Sequence, residues 1–141
     1  MNAFLFGLTI AVAAPAIKDP PKAEPSILGD WKLTEWLLDG SAAGVGSNDG
    51  VAFLPGGKRL WRTGPGDPEE RGYKLYPRTN PARVDMIRAD AGDGQTVHPC
   101  IFKVEGDTLV IAVGRPGGER PKSFEGAAYM KMTYTRIKKK D

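Results

Sequence analysis

The chain has 141 residues, and its 20 Lys and Arg against 17 Asp and Glu give a formal net charge of +3. So small an excess, part of which is the C-terminal run Lys138 to Lys140, does not indicate a nucleic-acid partner. The 18 Gly and 12 Pro exclude a mainly helical protein and fall between short apolar runs. The composition therefore favours one all-β domain with many turns.

The first 16 residues look like a secretory signal peptide. An apolar run over 4–13, too short to cross a bilayer, ends in Ala14-Pro15-Ala16. No Lys or Arg precedes the run, so the alternatives are a mis-assigned start or a buried strand. Residues 17–26 are rich in Pro and charge and predict an extended linker. We therefore expect export to the periplasm or beyond, with no transmembrane segment in the mature chain.

The predicted domain covers 27–138 and begins with a strand in which Trp31 and Trp36 fall on opposite faces. The strand therefore either changes its buried side partway, which a bulge near Glu35 would achieve, or is covered on both faces. The next two strands, 50–54 and 59–63, are joined by a turn at Pro55 to Lys58. The predicted register pairs Leu54 with Arg59, Phe53 with Leu60 and Ala52 with Trp61.

The clearest local signal is the hairpin that runs from Cys100 to Val113. If Gly106 and Asp107 are the central residues of a type II′ turn, one face of the pair is wholly apolar. In that register Val104 faces Leu109, Phe102 faces Ile111, and Cys100 faces Val113. Strands at 72–76, 83–88 and 129–137 bring the total to eight. Sequential antiparallel strands of this number predict an up-and-down barrel.

Several short motifs resemble those of a known family. Gly29-Asp30-Trp31 and Arg136 resemble the Gly-x-Trp and C-terminal Arg of lipocalin-type barrels. With Gly106 to Leu109 and Arg120 to Phe124, they resemble the lipocalin-like domain of unknown function that is abundant in planctomycete bacteria. The likeness covers 27–137, although Cys100-Ile101-Phe102 stands where that family usually has Gly-Ile-Tyr. The resemblance implies an exported barrel and no established activity.

Catalytic and metal chemistry have little support in the sequence. His98 and Cys100 are the lone His and Cys, whereas a zinc site needs about four ligands. They could act instead as a nucleophile pair, but their side chains share a face only if Pro99 stays extended. The loop 44–50 has glycines but lacks the Lys of a phosphate loop, and no Gly-x-Ser-x-Gly or Cys-x-x-Cys occurs. We therefore expect no catalytic residues, no metal, no cofactor and no enzymatic activity.

Aromatic residues suggest two further readings. Trp61, Tyr73 and Tyr76 lie among basic residues and could stack single-stranded bases, but aromatics on strands more often pack in a core. A planar cation can also cover an indole, so Arg136 of the last strand is expected against Trp31 of the first, which would close the barrel.

The favoured hypothesis is a non-enzymatic barrel that binds a small, mostly apolar molecule. The candidate lining residues are Trp36, Phe53, Trp61, Phe102 and Ile111. The alternative is a cell-envelope interaction or structural module that uses the loops 39–49 and 114–122. An internal cavity would favour the first hypothesis, and an exposed aromatic patch would favour the second.

Overall fold

The computed structural model of the protein describes residues 26–76, 78–89, 94–125 and 129–138. The predicted signal peptide, and the predicted linker apart from Ser26, lie outside these residues. Within them every regular element is a β-strand. The strands are β1 (Gly29–Leu38), β2 (Ser41–Ala42), β3 (Gly50–Leu54), β4 (Lys58–Arg62), β5 (Glu69–Tyr76), β6 (Ala82–Ala89), β7 (Gln95–Glu105), β8 (Thr108–Val113) and β9 (Met130–Arg136).

The strands form one antiparallel sheet that closes on itself. Its order is β9-β8-β7-β6-β5-β4-β3-β1-β2, and β9 also pairs with β1. This last pairing runs from Met130 opposite Leu38 to Arg136 opposite Trp31. The two-residue β2 is an addition beside the end of β1. The predicted all-β, eight-stranded up-and-down barrel is therefore confirmed, and closure leaves its eight long strands without a free edge.

A bulge in β1 lets the indoles of Trp31 and Trp36 both face the inside of the barrel. Thr133 of β9 faces Glu35, whereas the next residue of β9 faces Leu33, so Thr34 is the extra residue. The Thr34 hydroxyl donates to the Thr133 carbonyl over 3.0 Å. Leu33 and, beyond the bulge, Trp36 both pack on the core. The bulge predicted near Glu35 is present one residue earlier.

The β7–β8 hairpin has the predicted register. Gly106 has a φ of +60°, the value that the first central residue of a type II′ turn requires. The predicted pairs Val104–Leu109, Phe102–Ile111 and Cys100–Val113 are all observed. All six of these side chains are buried.

The register predicted for the β3–β4 hairpin is wrong by one residue. The observed pairs are Val51 with Trp61, Ala52 with Leu60, Phe53 with Arg59, and Leu54 with Lys58. Gly56 and Gly57 both have positive φ, +86° and +80°, so the chain reverses within the three residues 55–57. Because side chains alternate along a strand, the observed register turns Arg59 to the same side as Phe53, inside the barrel.

The two ends of the barrel differ. The closed end carries the N-terminal residues 26–28 and the short turns 55–57 and 106–107. There Ile27 is 2% exposed. The Nε1 of the fully buried Trp31 donates to the Ile27 carbonyl over 2.8 Å. The open end carries the longer connections 39–49, 63–68 and 114–125.

Candidate functional site

A cavity of about 560 Å³ lies in the open half of the barrel. Small-molecule sites have volumes of roughly 300–1,000 Å³, so the cavity has the size of a ligand site. Much of its surface is aromatic or thioether: Trp36, Phe53, Trp61, Met86, Met130 and Met132. Its polar and cationic side chains include Arg59, Thr63, Arg71, Arg88, Thr96 and His98.

The cavity brings together three of the five residues predicted to line it. Trp36, Phe53 and Trp61 are on its surface. Phe102 lies instead at the closed end, where it borders a separate depression together with Ile27 and Tyr73. Ile111 is fully buried in the core and does not line the cavity. In the observed register all five side chains face inward, and their depth along the barrel separates the three cavity residues from the other two.

Arg59 is the functional candidate that the sequence analysis missed. Arg59 is only 5% exposed, and its Nε donates to the Gly72 carbonyl over 2.9 Å. Among the described residues, its Nη atoms have no hydrogen-bond partner. Burial, and after it the charge of Arg71, lowers the pKa of Arg59 to about 10. The guanidinium thus stays charged at neutral pH inside the barrel.

The signal for Arg59 was present in the sequence. Alternation places residues i and i+2 of a strand on one face, so an inward Trp61 requires an inward Arg59. Trp61 is a predicted lining residue, and the same rule applies to Arg59. The two-residue spacing therefore places Arg59 on the face of Trp61, and the observed β3–β4 register turns that face inward.

Arg71 forms the rim of the cavity beside Trp61. Its guanidinium carbon lies 5.3 Å from the centroid of the Trp61 ring, a cation–π arrangement. Its Nε also donates to the Glu69 carboxylate, and that hydrogen bond with the accompanying charge lowers the pKa of Glu69. The side chain of Glu69 is 56% exposed, so this ion pair lies toward solvent. The indole is therefore held against the cavity by a paired arginine.

The side chains of His98 and Cys100 do not hydrogen-bond to each other. The Nδ1 of His98 lies 3.0 Å from the Gly114 carbonyl, so it carries the hydrogen, and the ring stacks on Tyr129. The Cys100 thiol donates to the His98 carbonyl rather than to its ring. Burial raises the pKa of Cys100 to about 12, which keeps the thiol protonated. In the part of the chain that the structure describes, no three His, Cys, Asp or Glu residues group as metal ligands.

Arg136 and Trp31 meet at the closed end. The guanidinium carbon of Arg136 lies 4.2 Å from the centroid of the Trp31 ring. Its Nη1 and Nη2 donate to the carbonyls of Leu28 and Ser26, over 3.1 and 3.2 Å. The contact expected from the sequence is present, and it joins the N-terminal segment, the first strand and the last strand away from the cavity.

Both loops of the alternative hypothesis are anchored to the barrel. The Leu33 amide of β1 donates to the Asp49 carbonyl over 2.9 Å. The Asp49 carboxylate also accepts hydrogen bonds from the amides of Gly46 and Gly64, each over 2.8 Å, which joins this loop to the next one. Arg120 donates to the Cys100 carbonyl over 2.8 Å and to the Asp85 carboxylate over 2.6 Å. Across 26–76, 78–89, 94–125 and 129–138, the large apolar residues that are well exposed are Leu28, Leu38, Val45, Val97 and Ile137. None of these five is aromatic.

No protein-family model, curated protein or solved structure matches the chain. The described ranges also contain no helix with the length and hydropathy needed to cross a membrane.

Proposed function

We propose that this protein is a non-enzymatic binding module that holds a small, largely apolar molecule in the open half of its barrel. The observation that carries the proposal is the 560 Å³ cavity lined by Trp36, Trp61 and methionines. Aromatic and thioether side chains give a ligand large apolar contact area, and Met adapts to varied shapes. The rigid closed barrel supplies a preformed site, which reduces the entropy cost of binding.

A neutral fluorescent probe tests the proposal. N-phenylnaphthylamine emits strongly only in apolar surroundings, so titration with the folded protein is expected to enhance its emission and saturate. The double variant Trp36→Phe, Trp61→Phe keeps the buried Trp31 as a donor outside the cavity. Excitation of tryptophan should then transfer less energy to the bound probe than in the wild type. A probe that shows no saturable enhancement would contradict the proposal.

The natural ligand can be sought directly. Native mass spectrometry of the protein purified from its own host reports a retained molecule as added mass. Denaturing mass spectrometry of the same sample controls for covalent modification, because a non-covalent ligand is lost there. Extraction and fragmentation of the released molecule would then identify its chemical class.

Export and family form the second part of the proposal. The support is the apolar run ending at Ala16, together with the motifs at Gly29 to Trp31 and at Arg136 that resemble lipocalin-type barrels. Mass analysis of the mature protein is expected to find an N-terminus between Ala14 and Lys18. Recovery of the chain with an intact Met1 from the cytoplasm would overturn export and leave the binding proposal standing.

A further inference from the structure

The cavity contains a buried charge whose hydrogen bonding is incomplete. Arg59 is 95% buried, since its exposed fraction is 5%, and one of its nitrogen atoms binds a carbonyl. Within the described chain, its two Nη groups keep their donors unused beside the cavity. A buried cation without a partner is costly, and an anion placed against it would offset that cost.

The other charges around the cavity have the same sign. The described residues on its surface include Arg59 and Arg71 but no Asp or Glu. The nearby acid Glu69 already bonds Arg71 and is more than half exposed. A cavity lined by one sign of charge in a low-dielectric wall concentrates ligands of the opposite sign. The field inside the barrel thus favours an anionic group.

The apolar part of the cavity wall requires the ligand to have an apolar part as well. Trp36 and Met130 contact each other, the indole Nε1 lying 3.4 Å from the thioether sulfur, and Met132 continues this wall. These groups offer apolar contact and few free polar atoms. A small inorganic anion would leave that surface in contact with water, so the site fits a molecule that has both an apolar body and a charged head.

We propose that the ligand is an amphipathic organic acid whose carboxylate binds the Nη groups of Arg59 while its apolar body packs on the Trp36 and Met132 wall. A guanidinium presents parallel donors that match a carboxylate in bidentate geometry, and such charge-assisted bonds are strong in a low dielectric. This inference rests on the proposed binding function and narrows its ligand class.

Two matched probes separate the inference from the proposed function. Anilinonaphthalene sulfonate carries an anionic group that N-phenylnaphthylamine lacks, and the two share the same aromatic body. In Arg59→Met the Kd of the sulfonate is expected to rise at least about tenfold, while that of the neutral probe changes less than about twofold. Arg83→Met removes an exposed arginine of β6 and controls for net charge. It should leave both values nearly unchanged.

The outcomes are distinguishable. If neither probe binds the wild type, the binding function fails. If the neutral probe binds the wild type, two results refute the anionic head while apolar binding stands. Arg59→Met then either weakens the binding of both probes equally or changes the binding of neither. Arg59→Met is expected to fold, since it replaces an uncompensated buried charge by an apolar side chain. Circular dichroism checks this.

A competition with the wild type alone avoids dependence on any variant. Decanoate is expected to displace the neutral probe at a concentration at least about tenfold lower than decanol, because both have the same chain and only decanoate has a carboxylate. Equal displacement by the acid and the alcohol would overturn the inference. Arg59→Lys should retain part of the preference for decanoate, since it keeps the charge without the bidentate geometry.

Discussion

Arg136 covers the indole of Trp31 at the closed end of the barrel, with its guanidinium carbon 4.2 Å from the ring centroid. The same side chain donates to two carbonyls of the N-terminal segment. One residue near the end of the last strand therefore holds the first strand and the segment that precedes it.

Removal of this contact should destabilise the barrel. We expect Arg136→Ala to lower the free energy of unfolding by about 2 kcal/mol, because a cation–π contact contributes about 0.5–2 kcal/mol and the two hydrogen bonds add to it. Urea unfolding measures the difference. The exposed Arg83→Ala is the matched control and should change stability by less than about 0.5 kcal/mol. Equal midpoints for the two variants would refute the closure role.

Asp49 should make stability depend on acid pH. Its hydrogen bonds from the Gly46 and Gly64 amides lower the pKa of its carboxyl from the ordinary 3.8. A lowered folded-state pKa contributes stability that is complete above the unfolded value and is lost as pH falls through the folded one. Asp49→Asn is expected to lose about 1–2 kcal/mol at pH 7 and to show a weaker decline in stability below pH 4 than the wild type. Parallel pH profiles for the two proteins would contradict this.

Cys100 should be unreactive in the folded protein. Burial raises its pKa to about 12, so at pH 8 its thiolate fraction is roughly three orders of magnitude below that of a thiol with the ordinary value of 9.0. Ellman's reagent is expected to label the native protein very slowly and to label one thiol at once in urea. Rapid labelling of the native state would instead restore the nucleophile hypothesis for His98 and Cys100.

Gly50 should tolerate no side chain. A Cβ there would lie 2.3 Å from the Trp31 carbonyl oxygen, which is backbone and cannot move aside cheaply. Gly50→Ala is expected to cost about 2–4 kcal/mol, because the β1–β3 pairing must separate to admit the methyl group. Gly44→Ala is the control, since a Cβ at that position would meet no atom within 4 Å. Thermal or urea unfolding of both variants measures the effect.

The parts of the fold that local chemistry determines could be predicted from the sequence. Gly106-Asp107 and the apolar alternation around it fix the β7–β8 register, because any slip would expose that face. The local sequence does not determine the turn at 55–57. A three-residue and a four-residue reversal are both compatible with Gly56 and Gly57. The choice between the two depends on contacts with β5, such as the Tyr73 amide that donates to the Gly57 carbonyl.

The candidate site could be predicted only in part, for a related reason. Alternation shows which face of a strand a residue occupies and carries no information on its height in the barrel. Trp61 and Phe102 both face inward, yet one lines the open cavity and the other lies at the closed end. Arg59 was missed because a charged residue next to a turn is normally solvated, and its burial depends on the tertiary register.

The length of the turn at 55–57 decides the chemistry of the barrel interior. A slip of one residue in β4 would bring Leu60 inward and turn Arg59 and Trp61 to the solvent, with every amino acid unchanged. Insertion or deletion of a single residue in a surface loop is a common evolutionary event. A protein with this barrel and a β4 slipped by one residue would have a neutral side chain in place of the buried Arg59. Under the proposed binding function, the length of the turn between β3 and β4 therefore predicts whether the cavity favours an anionic ligand.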